Sequence, residues 1–183
     1  GGGAIYIQRA ENIEISGSEF KGNKVGQINE YNKYGGAIMI NGLSNSADSQ
    51  ITHAIHDCIF EGNEANAGGA IFVSSANVSF NNLKFNNNKA NSGGAVSVSS
   101  GPSLGKGLEI YNSEFTNNTA VDNGGAIDVS GSFIVDNGKF TANSANSGGA
   151  ISVSGSDPVF IKNSAFKDNT AKTLGGAVYS HGG

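Results

Sequence analysis

Large apolar residues recur along this chain in columns two residues apart. Six Phe-x-x-Asn tetrapeptides set the register: Phe20/Asn23, Phe60/Asn63, Phe85/Asn88, Phe115/Asn118, Phe140/Asn143 and Phe166/Asn169. Five residues before each Phe stand Ile15, Ile55, Phe80, Ile110, Val135 and Ile161; seven before it stand Ile13, His53, Val78, Leu108, Phe133 and Val159. The residues between those columns (Glu14, Ala54, Ser79, Glu109, Ile134, Phe160) are mixed, and a period of two is the mark of a strand. A second alternating run follows each of seven Gly-Gly-Ala-Ile/Val motifs, which open at Gly2, Gly35, Gly68, Gly93, Gly124, Gly148 and Gly175.

Successive Gly-Gly motifs lie 33, 33, 25, 31, 24 and 27 residues apart, but five of the six Phe-to-Gly distances are 8 or 9. The unit is therefore a fixed frame carrying insertions at 24–34, 41–50 and 99–106. The shortest repeat, 24 residues, leaves no room for a helix. Self-similarity on this scale predicts a solenoid with one coil per repeat, each strand pairing in parallel with its counterpart in the next coil. The expected fold is an all-β, right-handed parallel β-helix of about six to seven coils with three short strands per coil. The frame is uninterrupted, so 1–183 reads as a single domain. Both ends fall inside the repeat, which predicts a segment of a longer protein or a unit whose ends stack on other copies.

The polar columns agree. Three residues after every Phe stands Asn, and three before it stand Gly17, Asp57, Asn82, Asn112, Asn137 and Asn163. Asn tolerates left-handed turns, and its amide both donates and accepts, so stacked copies can bond along the axis. The Phe and Asn columns are thus expected to be structural ladders. Glycine before the Ala strand suits a sharp turn or a close backbone approach.

Charge and composition narrow the function. The formal net charge is −4, and Arg9 is the single arginine. With no basic patch or stacking platform, nucleic acid is not an expected partner. No apolar run is long enough to span a bilayer, so this segment is not expected to insert into a membrane. The lone cysteine, Cys58, reads as a small residue filling a column.

Candidate chemistry is sparse. The outward position of the Gly-Gly-Ala strand reads Tyr6, Met39, Phe72, Ser97, Asp128, Ser152 and Tyr179, with one acid. Glycoside hydrolysis needs two carboxylates at a defined separation, so no catalytic residue is assigned. His53-x-x-His56-Asp57-Cys58 has metal-binding residue types, but an odd separation in a strand points His53 and His56 to opposite faces. No metal and no cofactor is expected. Loops on a rigid scaffold carry binding function, which singles out Tyr31 and Tyr34 in the first insertion. Tyr6, Met39 and Phe72 form a second candidate contact surface unless a loop of the same chain covers them.

The strict alternation of Gly-Gly-Ala-Ile/Val with Phe-x-x-Asn resembles the polymorphic outer membrane protein repeats best known from Chlamydia, over essentially the whole chain. That resemblance implies the β-helical passenger of an autotransporter displayed at the cell surface. It implies adhesion to a protein or glycan of a host or neighbouring cell, with self-association. Two alternatives stand beside it: a structural subunit stacking axially into a filament, and a polysaccharide-active enzyme.

Overall fold

The computed structural model describes residues 1–10, 12–25, 33–42, 52–99 and 107–182 of the 183. Every named strand is parallel to its neighbours, and the described residues contain no helix. Four sheets run along the rod, each taking one strand from successive coils. Sheet A has seven strands, each following a Gly-Gly motif: Ile5–Gln8, Ile38–Asn41, Ile71–Ser74, Val96–Val98, Ile127–Ser130, Ile151–Ser154 and Val178–His181. Sheet B has six, carrying the apolar columns, among them Leu108–Tyr111 and Phe133–Asp136. Sheet C has six, built around the Phe residues, such as Glu114–Thr116 and Lys139–Thr141.

The fold is the parallel β-helix that the repeat predicts, with one addition. Lys89–Ser92, Thr119–Asn123, Ser144–Ser147 and Thr170–Leu174 form a fourth sheet, D, between the Phe strand and the Gly-Gly corner. These segments turn one alanine inward and are otherwise mostly polar, with Val121 and Leu174 exposed, so hydrophobic alternation does not reveal them. Ala90, Ala120 and Ala145 are buried there, as is Ser147. The pairing in sheet D is irregular, with register shifts between Ala90 and Ser92 and between Ala145 and Ser147.

Phenylalanine occupies the core because each strand of sheet C turns one side chain inward. Phe60, Phe85, Phe115 and Phe140 are fully buried. The six rings, from Phe20 to Phe166, stack face to face with centroids 4.6 to 4.9 Å apart and planes within 11° of parallel. That spacing is the coil spacing, about 4.8 Å between hydrogen-bonded strands. Burying each ring is worth about 2–3 kcal/mol.

Three corners recur in every complete coil, and residue choice at each follows from backbone geometry. The position three before the Phe is left-handed in all six repeats, with φ between 49° and 57°. The residue two after the Phe and the first glycine of Gly-Gly adopt the same conformation, as at Asn117 (φ 55°) and Gly124 (φ 61°). Asn meets this requirement at low cost, and glycine at none.

At the Gly-Gly corner glycine is obligatory for a further reason. A Cβ on Gly124 would lie 2.0 Å from the carbonyl oxygen of Ile127, and one on Gly125 would lie 2.1 Å from that of Gly149 in the next coil. The first glycine lets the chain turn; the second lets two coils touch.

Candidate binding groove

Sheet A turns one face to the core and one outward. The outward column stacks in register as Tyr6, Met39, Phe72, Ser97, Asp128, Ser152 and Tyr179. An outward column should be wet, yet Phe72 is 6% exposed, Ser97 4% and Ser152 1%. Phe72 and Ser97 line a groove of about 540 Å³ that runs from Tyr34 and Met39 to Ser154, whereas Ser152 is enclosed and does not line it. Its lining is apolar toward one end and rich in serine toward the other, where Asp128 pairs in register with Ser97.

Tyr34 makes the apolar end. Its backbone bridges to Ala67, and its ring stacks on Phe72 with centroids 4.4 Å apart and planes 17° from parallel. Phe72 is therefore not a free contact surface: the end of the first insertion covers it. Met39 is half-buried and lines the groove, whereas Tyr6 stands 48% exposed at the first strand. Tyr31 lies outside the described residues, as does most of each insertion.

Asp128 is the group whose chemistry the groove alters most. Partial burial pushes its carboxyl up to about 6, with Asp122 adding to the rise while Ser152 and His181 oppose it. The Ser152 hydroxyl is buried and finds no partner of hydrogen-bonding geometry, although it is close enough to lower the carboxyl's pKa. Asp128 is the one carboxylate among the described residues that line the groove.

The histidines occupy the faces that strand parity predicts. His53 is buried, 3% exposed, and its Nδ1 accepts from the Ile13 N–H at 3.3 Å. His56 lies on the surface, with Nδ1 2.8 Å from Asp57 Oδ2 and Nε2 3.0 Å from Glu14 Oε1. Hydrogen bonds to those two carboxylates raise its pKa above the usual imidazole value. Among the described residues no group of His, Cys, Asp and Glu could hold a metal ion.

Cys58 is more than filler. Its thiol reaches the His56 carbonyl at 3.1 Å, as the Ser113 hydroxyl reaches that of Tyr111 at 2.8 Å. Burial is the main cause of its raised pKa, so the thiol stays protonated.

The Asn of Phe-x-x-Asn forms the deepest polar ladder. Asn118 Nδ2 donates to Phe85 O at 3.0 Å in the preceding coil and to Asn143 Oδ1 at 3.0 Å in the next. Its Oδ1 accepts from the backbone N–H and Nδ2 of Asn88, both at 3.0 Å. Asn63, also fully buried, repeats the pattern: its Nδ2 donates to Phe20 O at 2.9 Å and to Asn88 Oδ1 at 3.0 Å.

The six positions are not equivalent, although the column in the sequence is uniform. Asn23, the first of the column, is only half-buried. Its backbone N–H and Nδ2 both donate to Asn63 Oδ1 at 2.9 Å, so it ties two coils where Asn63 ties three. Asn169 stands at the other end, half-buried, its Oδ1 accepting from the backbone N–H and Nδ2 of Asn143. The exposed column three before the Phe makes a looser ladder: Asn137 donates to Asn112, but Asn112 donates to Asn81.

Residues 57–74, 82–99, 112–130 and 159–181 match the Chlamydia polymorphic membrane protein repeat. Four segments of the chain are thus similar to that repeat. Three of the matched segments begin on a left-handed corner, at Asp57, Asn82 and Asn112, and end with or just after a strand of sheet A. The coil holding Phe140, Asn143 and Gly148 lies outside the matched segments, yet it pairs in register with both neighbours and continues the Phe and Asn ladders. The repeated motifs thus serve the scaffold: Phe the core, Asn the axial ladder, Gly-Gly the coil contact. No curated protein and no solved structure matches the chain significantly.

Proposed function

We propose that this chain is a non-catalytic, surface-displayed β-helical rod that attaches its cell to a protein or glycan of another cell, as an adhesin passenger. The observation that carries this reading is the fourfold match to the Chlamydia polymorphic membrane protein repeat. Two features of the rod agree with it. The repeat motifs are consumed by the fold, which leaves recognition to the groove and the insertions. The groove's lining carboxylate is single, whereas glycoside cleavage requires a flanking pair.

Antibody against the rod should label intact producing cells, and beads coated with the purified chain should adhere saturably to target cells. Intact cells that stay dark would overturn surface display. Labelled cells whose rod confers no adhesion would overturn the adhesin role.

A second reading is self-association by axial stacking, because the parallel strands that pair coil to coil within the rod can pair in the same way between copies. Concentration-dependent growth of rods in electron micrographs would support it, and a monomer at every concentration would remove it.

A further inference from the structure

We infer that the groove on the outer face of sheet A is a binding site for a neutral oligosaccharide lying along the rod axis. The inference rests on the reading of the rod as a binding scaffold and gives it a ligand class.

Shape comes first. The groove crosses the sheet A strands from Ile38–Asn41 to Ile151–Ser154, five in succession. At about 4.8 Å per strand it is roughly 19 Å long, which suits a short linear oligomer better than a single small molecule. It lies on a face whose backbone is already bonded coil to coil, as in the pairing of Ser97 with Phe72 and Asp128. An extended peptide adding as a strand would find no free N–H or C=O there, so side chains must do the recognising.

The chemistry of those side chains selects among ligands. Ser97 and Asp128 stand side by side on adjacent strands, and Ser74 and Ser154 also line the groove. Ser97 is over nine-tenths buried yet lines the groove. Serine hydroxyls both donate and accept, and a carboxylate can accept from two adjacent hydroxyls, so a polyol meets every group on this floor. Ser130 adds another hydroxyl at the groove wall.

The Tyr34–Phe72 stack closes one end with a fixed apolar face and one phenolic oxygen. The C–H face of a sugar ring packs on such a surface while its hydroxyls reach the polar floor, the mixture of apolar walls and few convergent polar groups typical of small-ligand sites. The scaffold is rigid, so little is lost on ordering it.

Charge excludes the acidic glycans. No Lys or Arg is among the described lining residues, and the lone ionisable floor group is an acid. Sialylated, sulfated or uronic oligomers would place an anion beside Asp128 with no cation to offset it.

The test is titration calorimetry of the whole chain against neutral oligomers (cello-, malto-, xylo- and chito-oligosaccharides) and acidic ones (heparin fragments, oligogalacturonate, sialyllactose). Saturable binding of a neutral class is expected. It should weaken about tenfold or more in Asp128→Ala, as for loss of a hydrogen bond to a charged group. A groove-filling Ser130→Trp variant, checked for an unchanged circular dichroism spectrum, should abolish it. Failure of every neutral oligomer to bind, tighter binding of an acidic one, or binding untouched by Ser130→Trp would overturn the inference. Bead adhesion separates the two readings. Adhesion that survives Ser130→Trp sinks the groove and spares the adhesin, whereas sugar binding without adhesion does the reverse.

Discussion

The backbone N–H and the side-chain Nδ2 of Asn118 both donate to one atom, Oδ1 of Asn143, at 2.9 and 3.0 Å. The second Nδ2 hydrogen goes back to Phe85 O. One amide thus ties three coils together, and the rod is held axially by a chain of such clasps, from Asn23 and Asn63 onward, as well as by its sheets. Within an apolar interior these bonds are strong, and a broken one strands several groups at once.

Replacing Asn118 with alanine should therefore cost about 3 kcal/mol or more, since it leaves the Asn88 N–H and Phe85 O unpaired in a buried site. Asn169 is half-buried and caps the described end of the ladder, so Asn169→Ala should cost clearly less. Urea unfolding midpoints of the two variants give the comparison. Equal losses would mean that the ladder carries no axial coupling.

Glycine substitutions should divide sharply by position. Gly125→Ala drives a Cβ to 2.1 Å from Gly149 O, a rigid backbone atom of the next coil. It should separate the coils and abolish the cooperative transition. Gly17 has φ +56° and nothing within 4 Å of its added Cβ. Gly17→Asn, the residue other repeats use there, should fall within about 0.5 kcal/mol of the parent. Thermal melts followed by circular dichroism suffice, and a folded Gly125→Ala rod would refute the close-contact argument.

Asp128 should make the rod less stable as pH rises. Its folded pKa, about 6, lies above the ordinary 3.8, so between these values the native state holds a proton that the unfolded chain has lost. Stability from this group is greatest below pH 3.8, falls as pH climbs to about 6, and is level above that. Allowing for partial exposure, the fall is about 1–2 kcal/mol. Asp128→Asn should remove it and stabilise the rod at pH 7. Denaturation at pH 4, 5, 6 and 7 for both proteins checks the sign; a parent more stable at 7 than the Asn variant would contradict it.

His56 should act in the same direction at higher pH. Bonds to Asp57 and Glu14 raise its folded pKa above 6.5, so its contribution is fully present below 6.5 and is lost as pH rises through the folded value. The clasp joins Glu14 of one coil to His56 of the next. Hydrogen exchange of Ile15 and Ile55 amides should quicken on moving from pH 6 to 8 beyond the intrinsic rate change. In His56→Gln that excess should vanish; an excess that persists would place the pH response elsewhere.

Much of this protein is written in its sequence because a solenoid repeats its own constraints. The Phe column, the inward positions of sheets A and B and the left-handed corners each recur at a fixed offset, so local alternation and turn chemistry specify them coil by coil. Sheet D escaped because its strands carry only one small inward alanine, too weak a signal for periodicity. The parity of His53 and His56 was legible for the reason that sheet C was: a strand has two faces. The Asn column was legible as a ladder, but the bond each buried Asn makes to the Phe carbonyl of the preceding coil was not, since it depends on how the coils stack.

The groove was not legible. Tyr34 and Phe72 are 38 positions apart in the chain, and only coil stacking lays one ring over the other. Ser97, Asp128 and Ser152 are ordinary outward residues until the neighbouring walls bury them and lift the Asp128 pKa. The sequence by itself determined the coil, its corners and its core, because those depend on residues within one repeat and its similar neighbours. The tertiary structure alone decided which outward residues are wet and which are enclosed. Enclosure is a property of the whole surface, and it is where desolvation gives a carboxyl and a few hydroxyls something to recognise.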